Sequence, residues 1–355
     1  MATKIGPEDV LKALRAVQDP DLHRDIVSLG FIKDLEVGDG RVSFTIQLTT
    51  PACPVRDQLA ASAKQAVQAL GVADVQVRMT SQVTSGGGAR PPLIPQVKNT
   101  VAVASGKGGV GKSTVAANLA VALMRAGSKV GLMDTDVYGP SVPVLMGGNG
   151  QPRVVEGKIE PPVEYGIKII SMAYFLPKDE AVIWRGPMLH KTIQQFLGEV
   201  RWGELDYLVM DLPPGTGDIQ LSLSQTIPLT GAVIVSTPQD LALSVASKAI
   251  AMFRKLNVPI LGVVENMSYH VCTQCGHREE IFGHGGARQA ASKMGLPFLG
   301  EIPLDLAIRV QSDAGKPVAL DDTTAHGKVF QEVAGALAAQ VSIANFQAGQ
   351  GITIE

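Results

Sequence analysis

Apolar residues recur along the chain with two different periods, and the places where the period changes divide it into parts. Residues 7–17 carry apolar positions at helical spacing. Residues 31–37 and 42–48 read as strands around Asp39-Gly40, a pair suited to a tight hairpin turn, and 55–70 return to helical spacing. This pattern predicts a small α+β domain over residues 1–84. Further on, short apolar runs at 100–104, 129–134, 167–172, 207–211, 232–236, 260–265 and 298–301 alternate with helical stretches. Strands that are apolar almost throughout and separated by helices predict a parallel sheet covered on both faces. The expected architecture is therefore α/β, with a parallel-sheet domain over residues 99–345 and a tail at 346–355. Between the two domains, Ser85-Gly86-Gly87-Gly88-Ala89-Arg90-Pro91-Pro92 supports neither helix nor strand, so residues 85–98 read as a linker.

Composition narrows the functional classes. The 355 residues exceed what one hydrophobic core usually serves, and 45% hydrophobic with 18% charged residues describe a chain that folds. Thirty-one Lys and Arg against 33 Asp and Glu give a net charge of −2, so no basic field is available to hold nucleic acid by its phosphates. The N-terminus lacks an apolar stretch behind basic residues, and no later run reaches the roughly 18 apolar residues that span a bilayer. A cytoplasmic protein without nucleic-acid or membrane partners is expected. The three cysteines, Cys53, Cys272 and Cys275, form no disulfide framework and remain free for metal or redox chemistry.

Directly after the run at 100–104 comes Gly106-Lys107-Gly108-Gly109-Val110-Gly111-Lys112-Ser113-Thr114, followed by a helical pattern. This is G-x-x-x-x-G-K-S in the strand-loop-helix setting of a P-loop NTPase. The glycines let backbone N–H groups turn around a phosphate, the helix points its positive end there, Lys112 reaches the terminal phosphates and Ser113 is a magnesium ligand. Two acidic segments end predicted strands, where open α/β sheets bind their ligands. They are Asp134-Thr135-Asp136-Val137-Tyr138-Gly139-Pro140-Ser141 and Asp211-Leu212-Pro213-Pro214-Gly215-Thr216-Gly217-Asp218. Either acid alone can be a helix cap; beside a phosphate loop both suit magnesium and the attacking water.

A phosphate loop does not need a second lysine, and Lys107 read by itself is a solvated charge beside a polyanion site. GKGGVGKST, however, is similar to the deviant phosphate loop of the MinD, ParA, ArsA and nitrogenase iron-protein superfamily. That resemblance implies that Lys107 reaches across a homodimer to the partner's nucleotide. It also implies that ATP is the nucleotide, Asp136 the water-activating acid and Asp211 an acid outside the magnesium's direct ligands. Asn266 and the segment around Pro303 become contacts on the adenine side.

Cys272-Thr273-Gln274-Cys275 follows the strand at 260–265. Two intervening residues let both sulfurs face one metal, and Gly276 permits the turn. Four-thiolate ligation needs more than one such pair, and two copies of the chain would supply it. A single-chain zinc site using two of His270, His277 and His284, a thiol-disulfide pair and buried structural cysteines are the alternatives. Softness does not choose between zinc and an iron–sulfur cluster.

The phosphate loop, both acidic segments and Glu-Asn-Met-Ser before the C-x-x-C together resemble the Mrp/ApbC family of iron–sulfur carrier ATPases over roughly residues 95–340. The resemblance implies a slowly hydrolysing ATPase with Mg²⁺ that holds a labile [4Fe–4S] cluster between two subunits. It would pass that cluster to apo-proteins alongside the cluster assembly machinery. The N-terminal cysteine cluster of eukaryotic cytosolic relatives is lacking, so the bacterial type is the closer match. In the first domain Asp19-Pro20-Asp21, Ser28-Leu29-Gly30 and Thr49-Thr50-Pro51-Ala52-Cys53-Pro54 resemble the assembly factors of the SufT and PaaD kind. Cys53 there falls near a helix N-terminus, which predicts a lowered thiol pKa, against the plainer reading of a loop cysteine without a role. The rivals are a positioning ATPase of MinD or ParA type, an electron-donating ATPase like the nitrogenase iron protein and a zinc-containing regulatory ATPase. The stretch 341–355, without Lys or Arg, makes a poor membrane-targeting helix.

Overall fold

A computed structural model of the chain describes residues 5–38, 40–86, 93–136, 139–175, 186–215 and 227–349. Asp39 of the expected hairpin turn, the Gly/Pro centre of the linker at 87–92, residues 137–138 and 216–218 of the acidic segments, and 350–355 of the tail lie outside them. The chain divides into two compact units, Met1–Thr84 and Ser85–Glu355.

In the first unit, strands Ile32–Gly38 and Arg41–Leu48 pair antiparallel, as their alternation predicts, and helices Pro7–Leu14 and Arg56–Gln68 lie in the two helical stretches. Val42, Phe44, Ile46 and Leu48 all point inward at period two and meet Leu59, Ala63 and Val67 of the second helix. A third strand, Asp74–Ser81, joins parallel to Arg41–Leu48 and was not among the expected elements. Its Val75, Val77 and Met79 do alternate, but only Val75 is fully buried, because this strand is a sheet edge.

The second unit is built on eight strands in the order Val163–Glu164, Ile167–Ser171, Val130–Asp134, Leu205–Asp211, Val97–Ala104, Gly231–Ser236, Ile260–Glu265 and Phe298–Glu301. All pair parallel except the first, a two-residue antiparallel edge. Each of the seven apolar runs read from the sequence is one of the parallel strands, and the central ones are buried on both faces. The phosphate-loop strand starts at Val97, inside the stretch read as linker, because Ile94 and Val97 already belong to the core. Helix Lys112–Arg125 packs against the long C-terminal helix Ala325–Gly349, whose last turn takes in residues 346–349 of the expected tail. Among the described residues no helix is long and apolar enough to cross a membrane.

Backbone contact fixes the short helix Val142–Leu145 beside helix Leu306–Asp313. Gly315 has φ +67°, and a Cβ there would come within 2.2 Å of the Gly147 Cα. Gly315→Ala is expected to destabilise the protein by about 1–3 kcal/mol through overpacking alone. The left-handed backbone adds about 1–2 kcal/mol more. Equilibrium urea unfolding of the two proteins measures it.

Candidate functional site

The ends of three neighbouring strands define the site. In-register parallel pairing sets Asp211 beside Asp134 on one side and Val103 on the other, so two carboxylates arrive next to the start of the phosphate loop. The loop leaves strand Val97–Ala104 and enters helix Lys112–Arg125 through Gly109 and Gly111, both left-handed at φ +78° and +77°. Only glycine takes that conformation without penalty. The loop and both acidic segments enclose a cavity of about 300 Å³ lined by Lys107, Gly108, Lys112, Ser113, Asp136 and Pro214 among others. Two larger cavities, about 400 and 430 Å³, lie around Lys168 and Trp202 and on the polar face of the N-terminal sheet. Neither contains a glycine loop at a helix N-terminus, so charge and backbone rather than size mark the site.

Lys112 is 6% exposed and its ammonium group meets Asp211 Oδ1, with Ser113 Oγ at 3.3 Å and Asp136 Oδ2 at 3.8 Å. Burial pushes the Asp211 carboxyl above the usual carboxylate range, and Lys112 opposes that shift. Asp211 Oδ2 is buried with no hydrogen-bond partner. An acceptor left unsatisfied in this way calls for a ligand. With Ser113 Oγ and Asp136 nearby, the donor set is all oxygen and suits a hard divalent cation such as magnesium.

Asp134 accepts from the backbone N–H of Asp136 at 3.1 Å and of Val142 at 3.1 Å, and from Ser171 Oγ at 2.9 Å. One carboxylate thus ties down both ends of the loop that carries Asp136. Burial, with the Asp211 charge beside it, pushes Asp134 up to about 7. Ser171 was not singled out from sequence, although it ends strand Ile167–Ser171 and the same strand-end rule that exposed the acids applies to it.

Lys107 is half-buried and donates to Gln239 Oε1 at 3.4 Å, an oxygen that also accepts from Thr237 Oγ1 at 3.2 Å. Asn266 is buried behind the loop, where its Nδ2 donates to the Val110 carbonyl at 2.8 Å. Pro303 sits between strand Phe298–Glu301 and helix Leu306–Asp313. Its neighbours Ile302 and Leu304 bond Ser268 and Tyr269, so the segments of Asn266 and Pro303 run side by side.

The cysteine pair crowns a small hairpin whose strands are His270–Val271 and Arg278–Glu279. Cys272 donates its N–H to the His277 carbonyl at 2.9 Å, and Gly276, at φ +71°, donates to the Cys272 carbonyl at 2.9 Å. Cys272 is half-buried and Cys275 exposed. The Cys275 and Gln274 backbone N–H groups, then the Cys275 thiol, hold the Cys272 thiol below its ordinary value. Two histidines considered for a single-chain zinc site each have a ring nitrogen engaged by another group. His270 Nδ1 lies 3.0 Å from the Leu304 carbonyl, and His284 Nε2 lies 2.9 Å from Glu301 Oε2. Among the described residues the one close grouping of three metal-type ligands is Glu265, His284 and Glu301, which includes neither cysteine. Glu265 there already accepts from Ser268 Oγ, the Gly285 N–H and the Ala287 N–H, capping helix Gly286–Lys293.

Cys53 departs from expectation. Burial against the N-terminal core outweighs the lowering bond from the Val55 N–H at the start of the following helix and pushes the thiol up to about 11, with the Asp21 and Asp19 charges adding to the rise. An N-terminal helix end is a weak field compared with desolvation at this depth.

Comparison with known proteins agrees with this layout. Residues 96–338 match the family described as NUBPL iron-transfer P-loop NTPase, and residues 7–79 match the family described as iron-sulfur cluster assembly protein. An iron-sulfur cluster carrier protein from Deinococcus radiodurans is 51% identical over 339 residues, covering 94% of this chain and 95% of that one. One from Synechocystis is 44% identical, covering 94% and 98%. Among solved structures, a nucleotide-binding protein from Archaeoglobus fulgidus in complex with ADP aligns with TM-score 0.58 and 43% identity over 65% of this chain and 90% of that one. The cell division ATPase MinD of Pyrococcus furiosus, at TM-score 0.52 and 24% identity over 67% of this chain and 98% of that one, shares the fold.

The thiol environments differ enough to test directly. Iodoacetamide at pH 8 should modify Cys272 and Cys275 while leaving Cys53 largely unlabelled until the chain is unfolded, as read by peptide mass spectrometry. Equal labelling of all three in the folded protein would contradict the raised thiol pKa of Cys53, which is half-buried as Cys272 is.

Proposed function

The chain belongs to the family of NUBPL-type iron-transfer P-loop NTPases, and on that premise we propose that it is an ATP-dependent carrier of iron–sulfur clusters. The observation that carries the reading is the C-x-x-C hairpin, a small sheet of its own that follows strand Ile260–Glu265 of the sheet bearing the phosphate loop, in a chain that also holds an iron–sulfur assembly unit. A positioning ATPase of the MinD type has no use for such a thiol pair.

In the nucleotide site, Gly106, Lys107, Gly108, Gly109, Val110, Gly111, Lys112, Ser113 and Thr114 wrap the phosphates of ATP. Lys112 exchanges its contact with Asp211 for the β- and γ-phosphates. Ser113 would ligate Mg²⁺ directly, with Asp211 holding the ion from outside its direct ligands, and the ion would neutralise charge on the phosphates. Asp136 orients the water that attacks the γ-phosphorus; the bond to the ADP oxygen breaks, and inorganic phosphate and ADP are released. Asn266 and Pro303 lie toward the adenine. Lys107 leaves Gln239 and completes the partner's site when two chains close on each other, which makes hydrolysis slow in the monomer and dependent on the dimer.

The cargo is a [4Fe–4S] cluster. Each chain offers two thiolates, Cys272 and Cys275, so four-thiolate ligation requires two chains and sets the cluster on the twofold axis. ATP-driven closure and reopening of the dimer changes how the cluster is held, and apo-proteins in the cytoplasm, with the assembly machinery, are the recipients and donors. Cys53, with its raised pKa, is no cluster ligand in this scheme.

Anaerobic reconstitution with iron and sulfide, followed by absorption spectroscopy and metal analysis, tests the reading. Iron and sulfide approaching one cluster per dimer support it; zinc without sulfide overturns it. Cys272→Ala and Cys275→Ala should each abolish cluster binding while keeping nearly the ATP affinity of the native chain in its cluster-free form. A monomer with a full cluster would show that the ligands come from one chain.

The two lysines should separate in calorimetry and turnover assays. Lys112→Ala weakens ATP binding by about 10- to 100-fold, the loss of a charged hydrogen bond worth about 1.5–3 kcal/mol. Lys107→Ala leaves binding largely intact and lowers turnover about 10-fold or more, because its contact forms only in the closed dimer as charge develops. Equal loss of binding in both variants contradicts the role of Lys107 across the interface.

A further inference from the structure

Strand Ile260–Glu265 ends at a segment that touches both halves of the proposed machinery. Asn266 Nδ2 holds the Val110 carbonyl of the phosphate loop at 2.8 Å, and its own N–H is fixed to the Ser236 carbonyl at 2.8 Å. Contact with the loop is close: a Cβ on Gly111 would fall 2.3 Å from Asn266 Nδ2 and 3.6 Å from the Met267 terminal methyl. The next six residues reach the cysteine pair with nearly every one anchored. Met267 takes a left-handed backbone at φ +56°, a conformation that a non-glycine residue holds only where its surroundings impose it. Ser268 donates its N–H to the Ile302 carbonyl at 3.0 Å and its hydroxyl to the buried Glu265 at 2.6 Å. The Tyr269 carbonyl accepts from Leu304 at 2.7 Å, His270 Nδ1 lies 3.0 Å from the Leu304 carbonyl, and Cys272 closes the hairpin onto His277. Arg278 on the return strand stacks over the Tyr269 ring at 3.9 Å and reaches Glu301 at 3.6 Å.

We propose that Asn266 and Met267 form a rigid strut between the phosphate loop and the cysteine hairpin, so that nucleotide phosphates at Val110–Gly111 and an iron–sulfur cluster at Cys272 and Cys275 bias one another's binding. This rests on the carrier reading above and assigns the residues through which its two ligands communicate. The physical basis is geometric. A phosphate draws the loop's N–H groups inward, which moves the carbonyl that Asn266 holds on the opposite side of the chain. A bonded, left-handed segment passes that displacement to the hairpin rather than absorbing it, as a flexible loop would. Asn266 and Met267 act as positioning residues, because neither touches the cluster.

Thermodynamic linkage makes the strut measurable. If nucleotide changes cluster affinity by some factor, the cluster changes nucleotide affinity by the same factor, and such factors run from about 5 to 150. The readout is the ratio of dissociation constants for magnesium tripolyphosphate, a probe without a base, between the anaerobic cluster-loaded protein and the cluster-free protein. Titration calorimetry measures both. In the native chain the ratio should differ from unity by about 5-fold or more, in either direction. Asn266→Ala and Met267→Gly should each bring it to within about 2-fold of unity, the glycine variant because it relaxes the left-handed residue and lets the segment flex. A role of Asn266 in loop stability alone would shift both constants together and leave their ratio intact. A native ratio of one, or a ratio that survives both substitutions, overturns the strut while leaving the carrier reading standing. A native chain that takes up no cluster overturns the carrier reading itself.

Discussion

The nucleotide half of the molecule depends on a surplus of buried negative charge. Asp134, Asp136 and Asp211 converge where three parallel strands end, and Lys112 is the cation set among them. Ionised carboxylates out of water are tolerated only when paired or hydrogen-bonded. Asp134 meets that demand with three donors and a raised pKa, Asp211 with Lys112 on one oxygen and nothing on the other. The site is therefore poised for a ligand that brings positive charge with it. In the proposed function, magnesium arriving with the ATP phosphates would answer that surplus and free Lys112 to turn from acid to phosphate.

Topology makes this convergence possible. Strand Leu205–Asp211 inserts between Val130–Asp134 and Val97–Ala104, although it comes later in the chain than both. Pairing in parallel and in register, it brings Asp211 level with Asp134 and leaves both acids at the same edge as the phosphate loop. A register slip of one residue would turn Asp211 to the opposite face of the sheet. The near-total apolarity of these strands resists such a slip only weakly. The polar ends, Asp134 with Ser171 and Thr135 bonded to the Asp211 carbonyl, supply the specificity.

Much of this was legible in the sequence because the relevant signals are local. Seven apolar runs became seven parallel strands, and the phosphate loop and C-x-x-C each declare their geometry within nine residues or fewer. What escaped was set by packing between distant segments. Strand Asp74–Ser81 alternates faintly because a sheet edge buries little. The Asn266 contact with Val110 joins positions remote in sequence, and nothing near Asn266 announces it. Cys53 shows the converse error: its local setting, before a helix, predicts an activated thiol, and the core beneath it reverses the sign.

The two ligand sites differ in burial for reasons that follow from what each must do. Phosphoryl transfer benefits from a site that excludes water and holds its charges fixed, and Lys112, Asp134 and Asp211 are all at least nine-tenths buried. A cluster that is to be handed on must be reachable by an incoming thiolate, and Cys275 is exposed at the tip of a two-residue-stranded hairpin. Such a hairpin would not hold its shape alone. Its order comes from Arg278 on Tyr269 and Glu301, and from the anchored segment leading back to Glu265 and Asn266. The exposed site thus derives its geometry from the buried one's surroundings. On the strut proposed above, that dependence is what would let a carrier sense its nucleotide without enclosing its cargo.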